Sequence, residues 1–173
     1  LLAKLAWNPY MSESEYNAVT EEYLAAAYGS GWRYLREYLD LWTAAGNASG
    51  CWMGNYNQPQ EIVSFEYYSE NYAKMCELFD NAEKYADTAE QAELIGKFRC
   101  HMEYLALCAD YKTMFENGTA EQKAAYQQRY SALVQFMKDH NVPYSWNGVL
   151  PETDEVTASP LAWYGITNDK IRN

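Results

Sequence analysis

The sequence predicts an all-α protein, an antiparallel bundle of about five helices with an irregular C-terminal tail. Three observations predict it. Apolar residues recur at three- and four-residue steps through separate stretches between residues 13 and 139, the spacing of helices that each bury one face. Helix-start signals stand at Ser12, three residues before Glu15, and at Thr119, followed by Glu121 and Gln122. Beyond Asn141, Pro143, Pro151 and Pro160, with Gly148 and Gly165, forbid a long helix.

Residues 1–6 read as the last turns of a helix, ended where Pro9 pushes Asn8 out of the α region. Ser12 and Glu15 form a capping box for a first helix over 13–28, with Glu13 and Glu15 in the turn that the dipole favours for acids. Its expected inner face is Val19, Tyr23, Ala26 and Ala27. Tyr28-Gly29-Ser30-Gly31 breaks the pattern, and a second helix follows over about 31–45 with the stripe Trp32, Leu35, Leu39 and Trp42. Gly46 is the expected C-terminal glycine cap. Residues 46–60 hold three glycines, three asparagines and a proline without period, a long loop of the kind that is functional or mobile.

A third helix is expected over 61–86, burying Phe65, Tyr68, Tyr72, Met75, Phe79 and Ala82. Asp87-Thr88 supplies a turn and an N-cap. The fourth, over 89–116, carries Leu94, Phe98, Met102, Leu105 and Ala109, and would be about 40 Å long. Asn117-Gly118-Thr119 turns the chain into a fifth helix ending near 139, with Tyr126, Tyr130, Leu133 and Met137 inward. The short connections make helices three, four and five antiparallel neighbours. The tail, 141–173, is expected to pack Tyr144, Trp146, Trp163 and Tyr164 back on the bundle.

At 173 residues the chain is long enough to bury a core, and 49% apolar with 21% charged residues places it among ordinary globular proteins. The net charge of −11 and the lack of a basic stripe exclude nucleic acid as a partner class. No run of eighteen apolar residues offers a membrane span. Cys51, Cys76, Cys100 and Cys108 form no CxxC pair and have no histidine at ligand spacing, so neither a metal nor a cofactor is expected. The last three lie within helical patterns as small core residues, with a bridge between helices open if the protein is exported.

Catalytic chemistry is hard to find. Glycoside hydrolysis needs two carboxylates flanking one bond, and the many acids here, Glu61 and Glu66 included, fall where helices face solvent. His101 and His140 have no partner one turn away, and Arg99 with Glu103 reads as a surface or semi-buried pair. The seventeen tyrosines and six tryptophans suit half-buried helix edges or, where gathered, a surface that stacks on sugar rings. Trp52, Asn55 and Tyr56 in the long loop combine flat apolar faces with a side-chain amide, the mix that sugar recognition uses. The same residues also fit a loop whose Trp52 plugs a gap in the bundle. Trp146 in the tail is a further candidate for substrate binding.

Leu5-Ala6-Trp7-Asn8-Pro9, then Glu21 and Tyr23, then Tyr28-Gly29 and Tyr38-Leu39, carry a resemblance. In this order the chain resembles bacterial glycoside-hydrolase-like proteins related to alpha-glucuronidases, at the junction where a (β/α)8 barrel hands over to a C-terminal helical domain. The resemblance implies that residues 1–10 are the end of an upstream barrel domain, 11–140 the helical bundle and 141–173 its tail. It implies a non-catalytic accessory domain that supports the barrel and lends its aromatic loop to a cleft for an oligosaccharide. Catalytic acids would lie upstream on barrel strands, and extracytoplasmic residence would follow from a polysaccharide-degrading role. The rival expectation, from the residues alone, is a helical protein-interaction or dimerisation module.

Overall fold

The computed structural model describes residues 4, 7–8, 10–50, 63–140 and 142. The protein is an all-α helical bundle, and no strand occurs among the described residues. Five α-helices lie wholly within the described residues, in chain order: α1 Glu13–Tyr28, α2 Trp32–Ser49, α3 Phe65–Lys84, α4 Ala89–Asp110 and α5 Ala120–Asp139. A 3-10 turn, Gly29–Gly31, joins α1 to α2, and a π-helical turn, Tyr111–Glu116, follows α4. The chain divides into two compact units, residues 1–48 with 73–96, and residues 49–72 with 97–173.

Both expected helix starts are built as reciprocal caps. The Ser12 hydroxyl accepts from the Glu15 N–H at 3.3 Å while the Glu15 carboxylate accepts from the Ser12 N–H at 2.8 Å. Thr119 and Gln122 repeat the exchange at 3.3 and 2.9 Å. Each box satisfies donors that a helix start leaves without partners, for about 1 kcal/mol of stability. Thr88 and Gln91 do the same at the start of α4, with 3.2 Å in both directions.

In the first unit the buried side chains are Leu24, Leu35, Tyr38, Met75, Leu78, Phe79, Ala82 and Ile95. Tyr38 meets Phe79 edge to face with ring centroids 4.9 Å apart, and Tyr34 stacks on Tyr85 at 5.5 Å, so α2 and α3 run antiparallel. The two glycines of the 3-10 turn have separate reasons. Gly29 takes φ +59°, where an L side chain is strained, and a β-carbon at Gly31 would overlap the Ala82 carbonyl oxygen. The turn thus brings the backbone of α2's start against the backbone of α3.

In the second unit Cys100, Leu107, Cys108, Tyr111, Tyr126, Tyr130 and Leu133 form a buried cluster, with Phe65, Tyr104 and Met137 among the partly buried residues packed on it. The Tyr126 hydroxyl donates to the Leu107 carbonyl at 2.9 Å, which satisfies a phenol that is 1% exposed. Burial pushes the Tyr126 phenol well above its ordinary value.

Several expectations need correction. The helix expected to end at Gly46 runs on to Ser49, and it is Gly50, just past the end, that takes φ +63°. Glycine in mid-helix costs only about 1 kcal/mol, so its presence alone does not end a helix. Helix α3 spans Phe65–Lys84 rather than 61–86, and the fourth helix is α-helical only to Asp110. On α4 the stripe is displaced by one residue at its start: Leu94 is exposed and Ile95 is fully buried. On α1 Tyr23 and Ala26 face solvent, while Leu24 is the one buried residue of that helix. Periodicity finds an apolar stripe but does not say which side of the helix the rest of the chain covers.

Candidate functional site

Trp52, Asn55, Tyr56 and Trp146, the residues with a sugar-binding pattern, lie outside the described residues, as do Trp163 and Tyr164. Two other constellations are described. One is a charged cluster in the second unit, the other a group of exposed aromatic side chains near the N-terminus.

The charged cluster draws on α3, α4 and α5. The Tyr72 hydroxyl donates to Glu103 Oε2 at 2.9 Å, and Arg99 Nε lies 3.6 Å from Glu103 Oε1. Arg129 Nη1 donates to Asp110 Oδ2 at 2.8 Å, its Nη2 lies 3.7 Å from Glu103 Oε2, and its Cζ sits 4.7 Å from the centre of the Tyr72 ring. Two guanidiniums face two carboxylates, so the charges cancel. Arg129 Nε and Nη2 are buried without a hydrogen bond, and the Tyr72 ring beneath them offsets part of that cost by cation–π attraction. The expected Arg99–Glu103 pair is present and semi-buried. The sequence did not join it to Tyr72, Asp110 and Arg129, which lie 27, 11 and 30 residues from Arg99.

In the cluster the Tyr72 hydroxyl is hydrogen-bonded to a carboxylate that two guanidiniums also face. The neighbouring thiols are quiet, since burial pushes Cys100 up to about 11 and Cys108 up to about 12, far from the thiolate that reactivity needs. Cys76, Cys100 and Cys108 are thiols rather than disulfides. No group of three or more histidine, cysteine or acidic residues among the described residues is placed to hold a metal ion. No helix among them is long and apolar enough to cross a membrane. His140 sits at the C-cap of α5, its ring stacked on Phe136 at 4.1 Å.

The other group is four exposed aromatic side chains between residues 4 and 28. Trp7 is 91% exposed and Tyr10 93%, and Tyr16 and Tyr23 on α1 are 40% and 56% exposed. Lys4 Nζ reaches Glu22 Oε2 on α1 at 2.8 Å. Alongside is a shallow open groove of about 490 Å³ lined by Glu13, Ser14, Asn17, Ala18 and Glu21. Among the described residues its lining is polar or small, with no aromatic side chain. Trp7 belongs to the motif that the sequence singled out, whereas Tyr16 was not singled out and Tyr23 was expected inside. Compared with known proteins, the chain matches no family model, no curated protein and no solved structure at significance.

Proposed function

We propose that this chain is a non-catalytic helical accessory domain of a carbohydrate-active, glycoside-hydrolase-like protein, and that residues 4–28 dock it on a partner domain. One observation carries the docking role. Of the six large hydrophobic side chains exposed among the described residues, four (Trp7, Tyr10, Tyr16 and Tyr23) fall within seventeen residues of sequence. Gathered exposed apolar side chains mark interaction sites more often than scattered ones do. The carbohydrate role rests on the sequence resemblance and on the loop residues Trp52, Asn55 and Tyr56, with Trp146. The rival, a protein-interaction or dimerisation module without a carbohydrate role, draws on Tyr85 and Leu94, which are exposed away from the N-terminus.

The test is the mass of the native gene product, read with the frame upstream of Leu1. Several hundred further residues in alternating strand–helix pattern would support the accessory domain, and sugar-hydrolysis assays then belong on that full product. A native product of about 20 kDa, the mass of this chain, would sink it and leave the interaction module.

A further inference from the structure

The stripe that helix periodicity would turn inward on α1 is the one the fold leaves uncovered. Tyr16, Val19, Tyr23 and Ala26 follow one another at steps of three, four and three residues, the a and d positions of two heptads. Tyr16, Tyr23 and Ala26 are exposed and Val19 half-buried, while Leu24, on another side of the helix, is buried. In that register the g positions are Glu15 and Glu22 and the e positions Thr20 and Ala27. The g edge of the seam therefore carries two carboxylates, Glu15 (held by the Ser12 cap) and Glu22, and α1 has no cation of its own. A lysine already answers one of them, since Lys4 Nζ sits 2.8 Å from Glu22.

We infer that α1 is half of a short heterotypic coiled-coil contact, and that its occupant is a partner helix with an apolar seam flanked by lysine or arginine. The inference rests on the reading of residues 4–28 as a docking surface and gives that surface a partner chemistry. Charge selects this occupant over a second copy of the chain. Antiparallel pairing of two copies would set glutamates at g against glutamates. Parallel pairing would set them against Thr20 and Ala27 and form no ion pair, between chains that each carry −11. At sixteen residues α1 offers about 24 Å of seam, two heptads, so the contact fits a weak or tethered partner rather than a free-standing zipper.

The experiment uses the full 173-residue chain and two synthetic four-heptad peptides, both with leucine at a and d, one with lysine and one with glutamate at every e and g position. Calorimetry measures binding, and amide shifts locate it. The lysine peptide should bind saturably with shifts centred on Tyr16 to Ala26, and the glutamate peptide should not bind. Replacing Tyr16→Ser with Tyr23→Ser should weaken binding by about tenfold or more, since large aromatic anchors carry most contact energy. Glu22→Lys should turn the preference toward the glutamate peptide, while Glu66→Lys, an exposed change on α3, should leave it as it was.

Unaltered binding by the double serine variant, with circular dichroism showing the fold intact, would overturn the inference. So would an equal loss in Glu66→Lys, which would mean diffuse attraction of a polycation to an acidic chain. Self-association through Tyr16 and Tyr23 that excludes the lysine peptide would overturn it in favour of a second copy. Loss of the accessory-domain reading looks different: a 20 kDa native product that still binds the lysine peptide ends that reading and leaves this one standing.

Discussion

The Ser30 backbone N–H donates to Asp87 Oδ2 at 2.9 Å, a bond across 57 residues that ties the turn before α2 to the turn before α4. Around it, the Asp87 and Thr88 N–H groups both donate to Gln91 Oε1, and the Gly29 backbone is so close that a β-carbon would overlap the Gln91 and Asp87 side chains. Two connecting turns therefore cap each other. The glycines in Tyr28-Gly29-Ser30-Gly31 serve this contact as well as ending α1.

Gly31→Ala should destabilise the protein by about 1–3 kcal/mol, because the added methyl meets the fixed Ala82 carbonyl rather than a side chain able to move. For a chain of this size that is a fall of several degrees in Tm, at about 2–4 °C per kcal/mol. Gly31 has no positive φ to add strain of its own, so a thermal melt in which Gly31→Ala leaves the Tm unchanged would remove the close-approach argument.

Asp87→Ala should cost about 1 kcal/mol, the net worth of one exposed hydrogen bond. Hydrogen exchange is the sharper readout. The Ser30 amide should exchange faster in the variant, while the Glu15 amide, held by Ser12, should not change.

Arg129→Ala leaves Asp110 and Glu103 without their shared cation and should cost about 1–3 kcal/mol. The expectation stays below the cost of breaking a fully buried pair because the Arg129 side chain is 31% exposed. Combined with Asp110→Leu, the loss should be less than additive. Urea titrations of the two single variants and the double one decide this, and strict additivity would mean that the pair is not coupled.

The buried thiols set a pH dependence. Cys100 and Cys108 keep their protons in the fold up to about 11 and 12, against an ordinary 9 when unfolded. The unfolded chain thus sheds these protons first, so stability is full below pH 9 and falls as pH rises from there toward 11. The fall should approach about 1.4 kcal/mol per pH unit for each thiol. Urea midpoints at pH 8, 9 and 10 would show it, with Tyr38 and Tyr126, also pushed up by burial, adding in the same direction at higher pH. At pH 8 a thiol reagent should leave Cys100 and Cys108 unlabelled until urea is added. Prompt native labelling of either would contradict their burial.

Local chemistry was legible in the sequence wherever a local interaction decides the outcome. The caps at Ser12 and Thr119 are exchanges between residues three apart, and they stand where the sequence puts them. The inward tyrosines of α5 follow from a period with only one apolar face. Where two faces compete, the tertiary structure decided. On α1 both the Tyr16–Ala26 stripe and the side carrying Leu24 are partly apolar, and only the placement of α1 against its own unit left the first uncovered.

The same division holds for the polar cluster and the turns. Arg99–Glu103 is one helical turn and was visible, while Tyr72, Asp110 and Arg129 join it through packing that no short-range pattern encodes. Gly46 had the right residue type for a cap, yet the helix runs on to Ser49 and the positive φ falls at Gly50. Sequence alone determined that the chain is helical and how α1, α4 and α5 begin. The tertiary structure decided which of two similar faces is buried, because burial is a property of the neighbour across the gap and not of the helix itself.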